Sequence, residues 1–248
     1  MIKFFRKIRQ NLLVKGQTGK YLKYALGEIL LVVIGILIAL QINNANESFK
    51  QNRKAKNYEE TLIAELNADL MRINQLDTLC QKMQKDINDY LSYFKNPDKE
   101  YEVVIQEMEK VNYYGDFYQS IAYTIDDIIN TGNLELFNQE IKNAILEYKA
   151  TQDFYEKNRE EVVQKYVLSD LEFENAVDIL SFNDLPSDES KTLNNWLFDF
   201  KSEQYRLFNN RALSILRTYY FRSDQNTKMR LSIENLLTEL IKENSNEE

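Results

Sequence analysis

Residues 24–42 read YALGEILLVVIGILIALQI, and this stretch decides the architecture. Nineteen residues at a rise of about 1.5 Å span roughly 28 Å, close to the ~30 Å hydrocarbon core of a bilayer. From Ile29 to Leu40 the run holds no polar side chain, and its one nearby charge, Glu28, stands at its start. A helix buried in a soluble core usually keeps a polar stripe; this one is apolar on every side for three turns. The reading is a transmembrane helix, with a soluble core helix as the rival.

The flanks orient it. Residues 1–23 hold Lys3, Arg6, Lys7, Arg9, Lys15, Lys20 and Lys23 and no acid, whereas Lys50, Arg53, Lys54 and Lys56 beyond the span are mixed with Glu47, Glu59 and Glu60. The positive-inside rule therefore places residues 1–23 in the cytoplasm and residues 43–248 across the membrane. A cleaved signal peptide would need small residues spaced as Ala-x-Ala after the apolar run. The sequence continues LQINNA, so an uncleaved signal anchor is expected. In a bacterium this means an inner-membrane protein with a periplasmic C-terminal domain.

Within residues 2–13, Ile2, Phe5, Ile8 and Leu12 share a helical face among basic residues. That pattern fits either an amphipathic segment on the anionic leaflet or a basic tail that only sets topology. Gly16 and Gly19 let the chain turn into the span. Lys20, Lys23 and Glu28 are expected at the membrane interface, with Glu28 near Lys23 or the headgroups. Gly35 and Ala39 form a small-xxx-small pair that permits a second helix to approach.

The whole chain carries −8, and seven of its positive charges precede the span, so the remainder stands at −15. An acidic remainder argues against nucleic-acid binding, which needs a basic face. The chain has no histidine and one cysteine. Imidazole bases, Ser-His-Asp systems, His-ligated metals and internal disulfides are thereby excluded, and a single Cys suits an oxidising compartment. Four of the six glycines lie in the first 35 residues, and the rest of the chain has only Gly115, Gly132, Pro97 and Pro186 as strong breakers. So few turn residues predict long helices.

Beyond the span, Ile73, Leu76, Cys80, Met83, Ile87, Tyr90 and Phe94 alternate at spacings of three and four, a coiled-coil-like seam. Leu70, Leu79 and Leu91 widen the stripe, as packing in a bundle requires. Extending the register backward adds Leu66 and Leu62, but puts Asp69 on the seam. Asn96-Pro97-Asp98 reads as the next helix start, carrying Tyr101 to Val111. NYYGD (112–116) is a turn, and a helix through Tyr118, Ile121, Ile125 and Ile129 ends at Gly132, a left-handed C-cap. A long helix follows over Ile141 to Tyr166, then a short one near Leu171 to Leu180 and a loop at 181–188. A further helix starts at Ser187 and runs to Tyr219, and Ser223-Asp224 caps the last.

The expected fold is all-α: a cytoplasmic segment at 1–23, a span at 24–42, an elongated extracytoplasmic helical bundle at 43–243 and a polar tail at 244–248.

MIKFFRKIRQNLL and KYLKYALGEILLVVIGILIALQINNANE together resemble the opening of a family of single-span proteins common in flavobacteria and their relatives. INTGNLELFNQEIKNAILEYK, at 129–149, is similar to that family's second hallmark. The family is known only as a domain of unknown function. The resemblance implies a membrane location and transfers no catalytic residue.

No glycine-rich phosphate loop, GxGxxG or GxSxG occurs, and a Glu-x-x-His di-iron pattern is impossible without histidine. Adjacent Asp126 and Asp127 point to different helix faces, and Cys80 falls on the apolar seam as a small buried residue. No cofactor is expected. Among the sixteen tyrosines, Tyr113 and Tyr114 in the glycine turn and Tyr219 and Tyr220 at a helix end stand apart as a possible partner or ligand surface. Arg206, Arg211, Arg217 and Arg222 serve either an anionic ligand or the abundant acids. The leading expectation is a non-enzymatic interaction or scaffold protein of the cell envelope that self-associates or binds an envelope protein. The alternative is a ligand-sensing bundle that signals through a separate partner.

Overall fold

A computed structural model of the chain describes residues 18–97, 100–178 and 195–246. The basic segment before Thr18, the loop at 181–188 and the helix start at Ser187 lie outside the described residues. Among those described there are five α-helices and no strand: α1 (Thr18–Phe94), α2 (Tyr101–Met108), α3 (Tyr123–Asn130), α4 (Gln139–Glu174) and α5 (Glu203–Asn246). Two short 3-10 turns, Asn133–Leu136 and Asn195–Phe198, complete them. The all-α expectation holds.

Chain contacts divide at Asn57, with one unit up to that residue and a second from Tyr58 onward. In the first unit α1 carries the apolar run, and every side chain from residue 29 to 54 is exposed. This is one helix long and apolar enough to cross a membrane. The polar stretch 43–57 groups with the first unit.

In the second unit, residues 58–94 of α1 bury the seam that the spacing marks. Leu62, Leu66, Asp69, Ile73, Cys80, Met83, Ile87 and Tyr90 are all buried, with Leu76 and Phe94 partly so. Helix α5 runs antiparallel to this seam, as Asp77 meeting Arg230 and Tyr90 meeting Asn209 show. Helix α4 is also antiparallel to α5: Asn235 lies by Glu147, Asp224 by Tyr155 and Arg211 by Asp170.

Two apolar clusters fill the space between. One joins Cys80 to Tyr90 of α1 with α2, Phe173, Trp196 and the first half of α5. The other joins Leu62 to Ile73 with α3, the start of α4 and Met229 to Leu240. Aromatic rings meet edge-on in the first, as Tyr90 and Phe173 do against Phe208 at 5.3 and 5.1 Å.

Helix boundaries depart from the sequence reading in four places. Helical residues begin at Tyr101, with Glu100 at the cap position and no side-chain cap, rather than at Asn96-Pro97. Residues 111–122 are irregular, so Tyr118 and Ile121 precede α3 instead of opening it. Helix α4 continues through Leu171 to Glu174 without the expected break; no Gly or Pro interrupts it. Helix α5 runs straight through Ser223 and Asp224, because both side chains turn sideways: Ser223 Oγ accepts from Gln84 and Asp224 accepts from Tyr155. Gly132 is left-handed as expected, with φ 72° and ψ 13°, a conformation that favours glycine.

Candidate functional site

Along the irregular stretch 111–122, Val111, Phe117, Tyr118 and Ala122 are buried while residues 112 and 114–116 are exposed. Buried backbone outside a helix has amides and carbonyls that must find other partners. Here they come from side chains on α1 and α5, and these make the most distinctive polar constellation of the described molecule.

From α5, Tyr219, Arg222 and Gln225 stand three residues apart on one face. Arg222 is 1% exposed. Its guanidinium donates to Tyr114 O at 2.5 Å and to Asp116 O, and lies 5.2 Å from the Phe117 ring centroid and 5.1 Å from that of Tyr219. Carbonyl dipoles and ring faces, rather than a carboxylate, thus hold this buried cation. Tyr219 Oη donates to Asn112 O at 3.2 Å and accepts from Tyr114 N at 2.9 Å. Gln225 Nε2 donates to Tyr118 O at 3.3 Å.

From α1, Asp69 holds the other end. It is wholly buried, and its Oδ2 accepts from Tyr118 Oη at 2.9 Å and Ser120 Oγ at 2.8 Å while Oδ1 accepts from Ile121 N at 3.1 Å. Tyr148 of α4 reaches the same carboxylate at 3.4 Å. One turn earlier on α1, Glu65 accepts from Thr124 N at 3.2 Å. The first turn of α3 has no cap from its own Ala122, so the Glu65 carboxylate of α1 meets one of its free amides.

A third crossing ties α1 to α5. Asp77 accepts from Asn226 at 2.8 Å and from Arg230, which also donates to Asn74. Gln84 donates to Tyr219 O at 3.1 Å and Ser223 Oγ at 2.7 Å.

Burial moves the phenols around this constellation. Tyr118 and Tyr148 are pushed far above the ordinary 10.0, first by desolvation. Tyr90, Tyr155 and Tyr205 are raised for the same leading reason, and Tyr166 is pushed up to about 12. The fold therefore holds these phenols neutral. Above pH ~10 the unfolded chain releases their protons and the folded chain does not, so stability is full below that pH and falls as pH rises through it. Alkaline titration followed at the phenolate absorbance is expected to show a set of tyrosines that ionise only as helical circular dichroism is lost. Their complete ionisation while the helices persist would contradict this. Cys80 is likewise raised by burial, opposed by Arg222.

The sequence-marked residues divide. Tyr113, Tyr114 and Tyr219 do come together, with Tyr113 stacked on Tyr166 at 4.1 Å, but Tyr219 is fully buried and clasps backbone. Tyr114 and Tyr220 are exposed. Arg206 pairs with Glu203 and Arg211 with Asp170; Arg222 takes carbonyls, and Arg217 is exposed. Asp126 pairs with Lys149 at 2.9 Å while Asp127 accepts from Tyr58 at 2.6 Å, consistent with different faces. Gly35 and Ala39 lie exposed on α1, as does Lys23, with Glu28 partly covered; Lys20 lies on α1 but its side chain is outside the description. The roles of Asp69 and Arg222 went unassigned in the sequence, although Asp69 announces itself as the acid on an apolar seam.

Among the described residues no group of three or more Cys, Asp or Glu is placed to hold a metal ion. An open groove of about 550 Å³ lies between α4 and α5, with Thr151, Phe154, Lys228 and Leu231 among its walls.

A sequence-family model described as "Family of unknown function (DUF6090)" matches residues 28–156. The matched stretch includes most of the apolar run and Asp69 with Tyr118, Ser120 and Tyr148, and ends before Arg222. No curated protein and no solved structure matches.

Proposed function

We propose that this chain, which belongs to that family of unknown function, is a membrane-anchored, non-enzymatic interaction or scaffold protein of the cell envelope. The carrying observation is the first unit: a helix whose side chains from 29 to 54 are all exposed, with an apolar run long enough for a bilayer. Such a helix is an anchor, and the basic excess before it puts the packed unit across the membrane, in the periplasm of a bacterium. The non-enzymatic part is supported by how the unusual polar groups are used. Asp69 and Arg222 are engaged by backbone groups of 114–121, which leaves them committed to structure.

Two measurements on the full chain test the reading. A reporter fused after Glu248 is expected to be active only outside the cytoplasm; activity confined to the cytoplasm overturns the orientation. Crosslinking in living cells is expected to convert the chain into discrete larger species. Recovery of the bare monomer alone overturns the scaffold role.

A further inference from the structure

Beyond the apolar run, residues 43–57 read NNANESFKQNRKAKN, a helical stretch with almost nothing apolar in it. A helix that is polar all round has no face to bury and needs outside support. The exceptions are Ala45, Phe49 and Ala55. Phe49 is 67% exposed, as much as Ile42 at 66%. Lipid accounts for Ile42 but not for Phe49: seven residues further on is about 10 Å past the hydrocarbon edge. The packed unit starts only at Tyr58.

Phe49 is not placed at random. Gly35, Ile38, Ile42, Ala45, Phe49 and Asn52 follow one another at spacings of three, four, three, four and three. That is a heptad seam, and it crosses the membrane boundary without a slip. Glu47 and Lys54 fall on the opposite side of the helix. Gly35 adds a separate observation: a Cβ built there meets nothing within 4 Å, so no packing among the described residues uses its smallness. A glycine inside a helix costs about 1 kcal/mol relative to alanine, which an approaching backbone offsets.

We infer that this seam is the contact surface for a second copy of the chain, packed parallel and with left-handed crossing from Gly35 to Asn52. The inference rests on residues 24–42 being a membrane span. Only a neighbour that follows the same axis covers the seam in lipid and in water alike. An identical chain presents the same seam at the same depth and in the same orientation, and the seam is complementary to itself: apolar against apolar, Gly35 facing Gly35. Asn52 meets Asn52, where each amide donates and accepts, a device that fixes register at some loss of stability. This geometry differs from a crossing at Gly35 and Ala39 alone. That pair favours a right-handed crossing, from which the helices diverge before Phe49.

Disulfide mapping in native membranes separates the possibilities. The full chain keeps its buried Cys80 and serves unchanged as the control. Single substitutions Ala45→Cys, Phe49→Cys and Asn52→Cys are expected to give disulfide-linked dimers under mild oxidation. Asn44→Cys, Glu47→Cys and Gln51→Cys, on the opposite side, are expected to lose them. Dimers from Gly35→Cys and Ala39→Cys with none from the three distal sites overturn the seam, as does equal crosslinking on both sides. Two differently tagged, co-expressed copies are captured in parallel. Co-capture without seam crosslinks overturns the seam and leaves self-association standing; the absence of both overturns self-association as well. All eight mapped sites lie before Tyr58, so the packed unit is unaltered.

Discussion

Replacing Arg222 with alanine is expected to destabilise the packed unit by roughly 3–5 kcal/mol, lowering its Tm by roughly 10 °C. The substitution removes both donors to Tyr114 O and Asp116 O. It also leaves a void beside Phe117 and Tyr219. Arg222→Lys keeps the charge but not the planar fork that reaches two carbonyls at once, so it is expected to recover only part of the loss. Arg217→Ala is the control on the same helix, since Arg217 is exposed and such changes stay within about 0.5 kcal/mol. Thermal and urea unfolding of the full chain in detergent, followed by circular dichroism, reads all three. Proteolysis should report the same order, with new cleavage near 112–118 in the alanine variant. An Arg222→Ala protein as stable as the Arg217→Ala control would show that the buried guanidinium does not hold the irregular stretch.

Asp69→Ala is expected to cost about 3–4 kcal/mol, because three donors lose their acceptor at once. Tyr118 Oη, Ser120 Oγ and Ile121 N all converge on this carboxylate at 2.8 to 3.1 Å. Asp69→Asn retains one acceptor oxygen and is expected to cost about half as much. Asp69→Leu is the sharper experiment. It completes the apolar seam between Leu66 and Ile73, so any account based on the seam alone expects stabilisation. The hydrogen-bond account expects a loss, since Ile121 N and the two hydroxyls stay buried without their acceptor. The cycle with Tyr118→Phe should be strongly non-additive, the double variant losing less than the sum of the singles by ~1 kcal/mol or more. Additive behaviour, or a stabilised Asp69→Leu protein, would remove Asp69 from its role as a clasp.

The two clasps differ in how visible they are in the amino-acid order. Asp69 is legible as an anomaly, a charged residue on a seam otherwise apolar from Leu62 to Phe94. What it binds is not legible, because its partners at 118–121 lie 49 to 52 residues away, beyond the reach of any local pattern. Arg222 is hidden among five arginines on one helix, and nothing local separates it from exposed Arg217. Ser223-Asp224 has the composition of a helix cap, yet Gln84 and Tyr155 draw both side chains outward and α5 continues.

The stretch 111–122 shows the same competition most directly. Tyr118, Ile121 and Ile125 carry a helical spacing, and an isolated peptide has every reason to follow it. In the folded unit Asp69, Arg222, Tyr219 and Gln225 supply partners for its backbone, and helix formation waits until Tyr123.

The sequence alone determined the apolar run, its charge asymmetry, the all-α class, the buried seam and the left-handed Gly132. Each of these follows from residues within a turn or two of one another, through hydrophobic periodicity, backbone freedom or local charge. Tertiary structure alone decided where α3 begins, that α5 is unbroken and which polar residues are interior. Those outcomes depend on hydrogen bonds between residues 50 to 150 positions apart, and no local pattern encodes a partner that only the packed bundle brings within 3 Å.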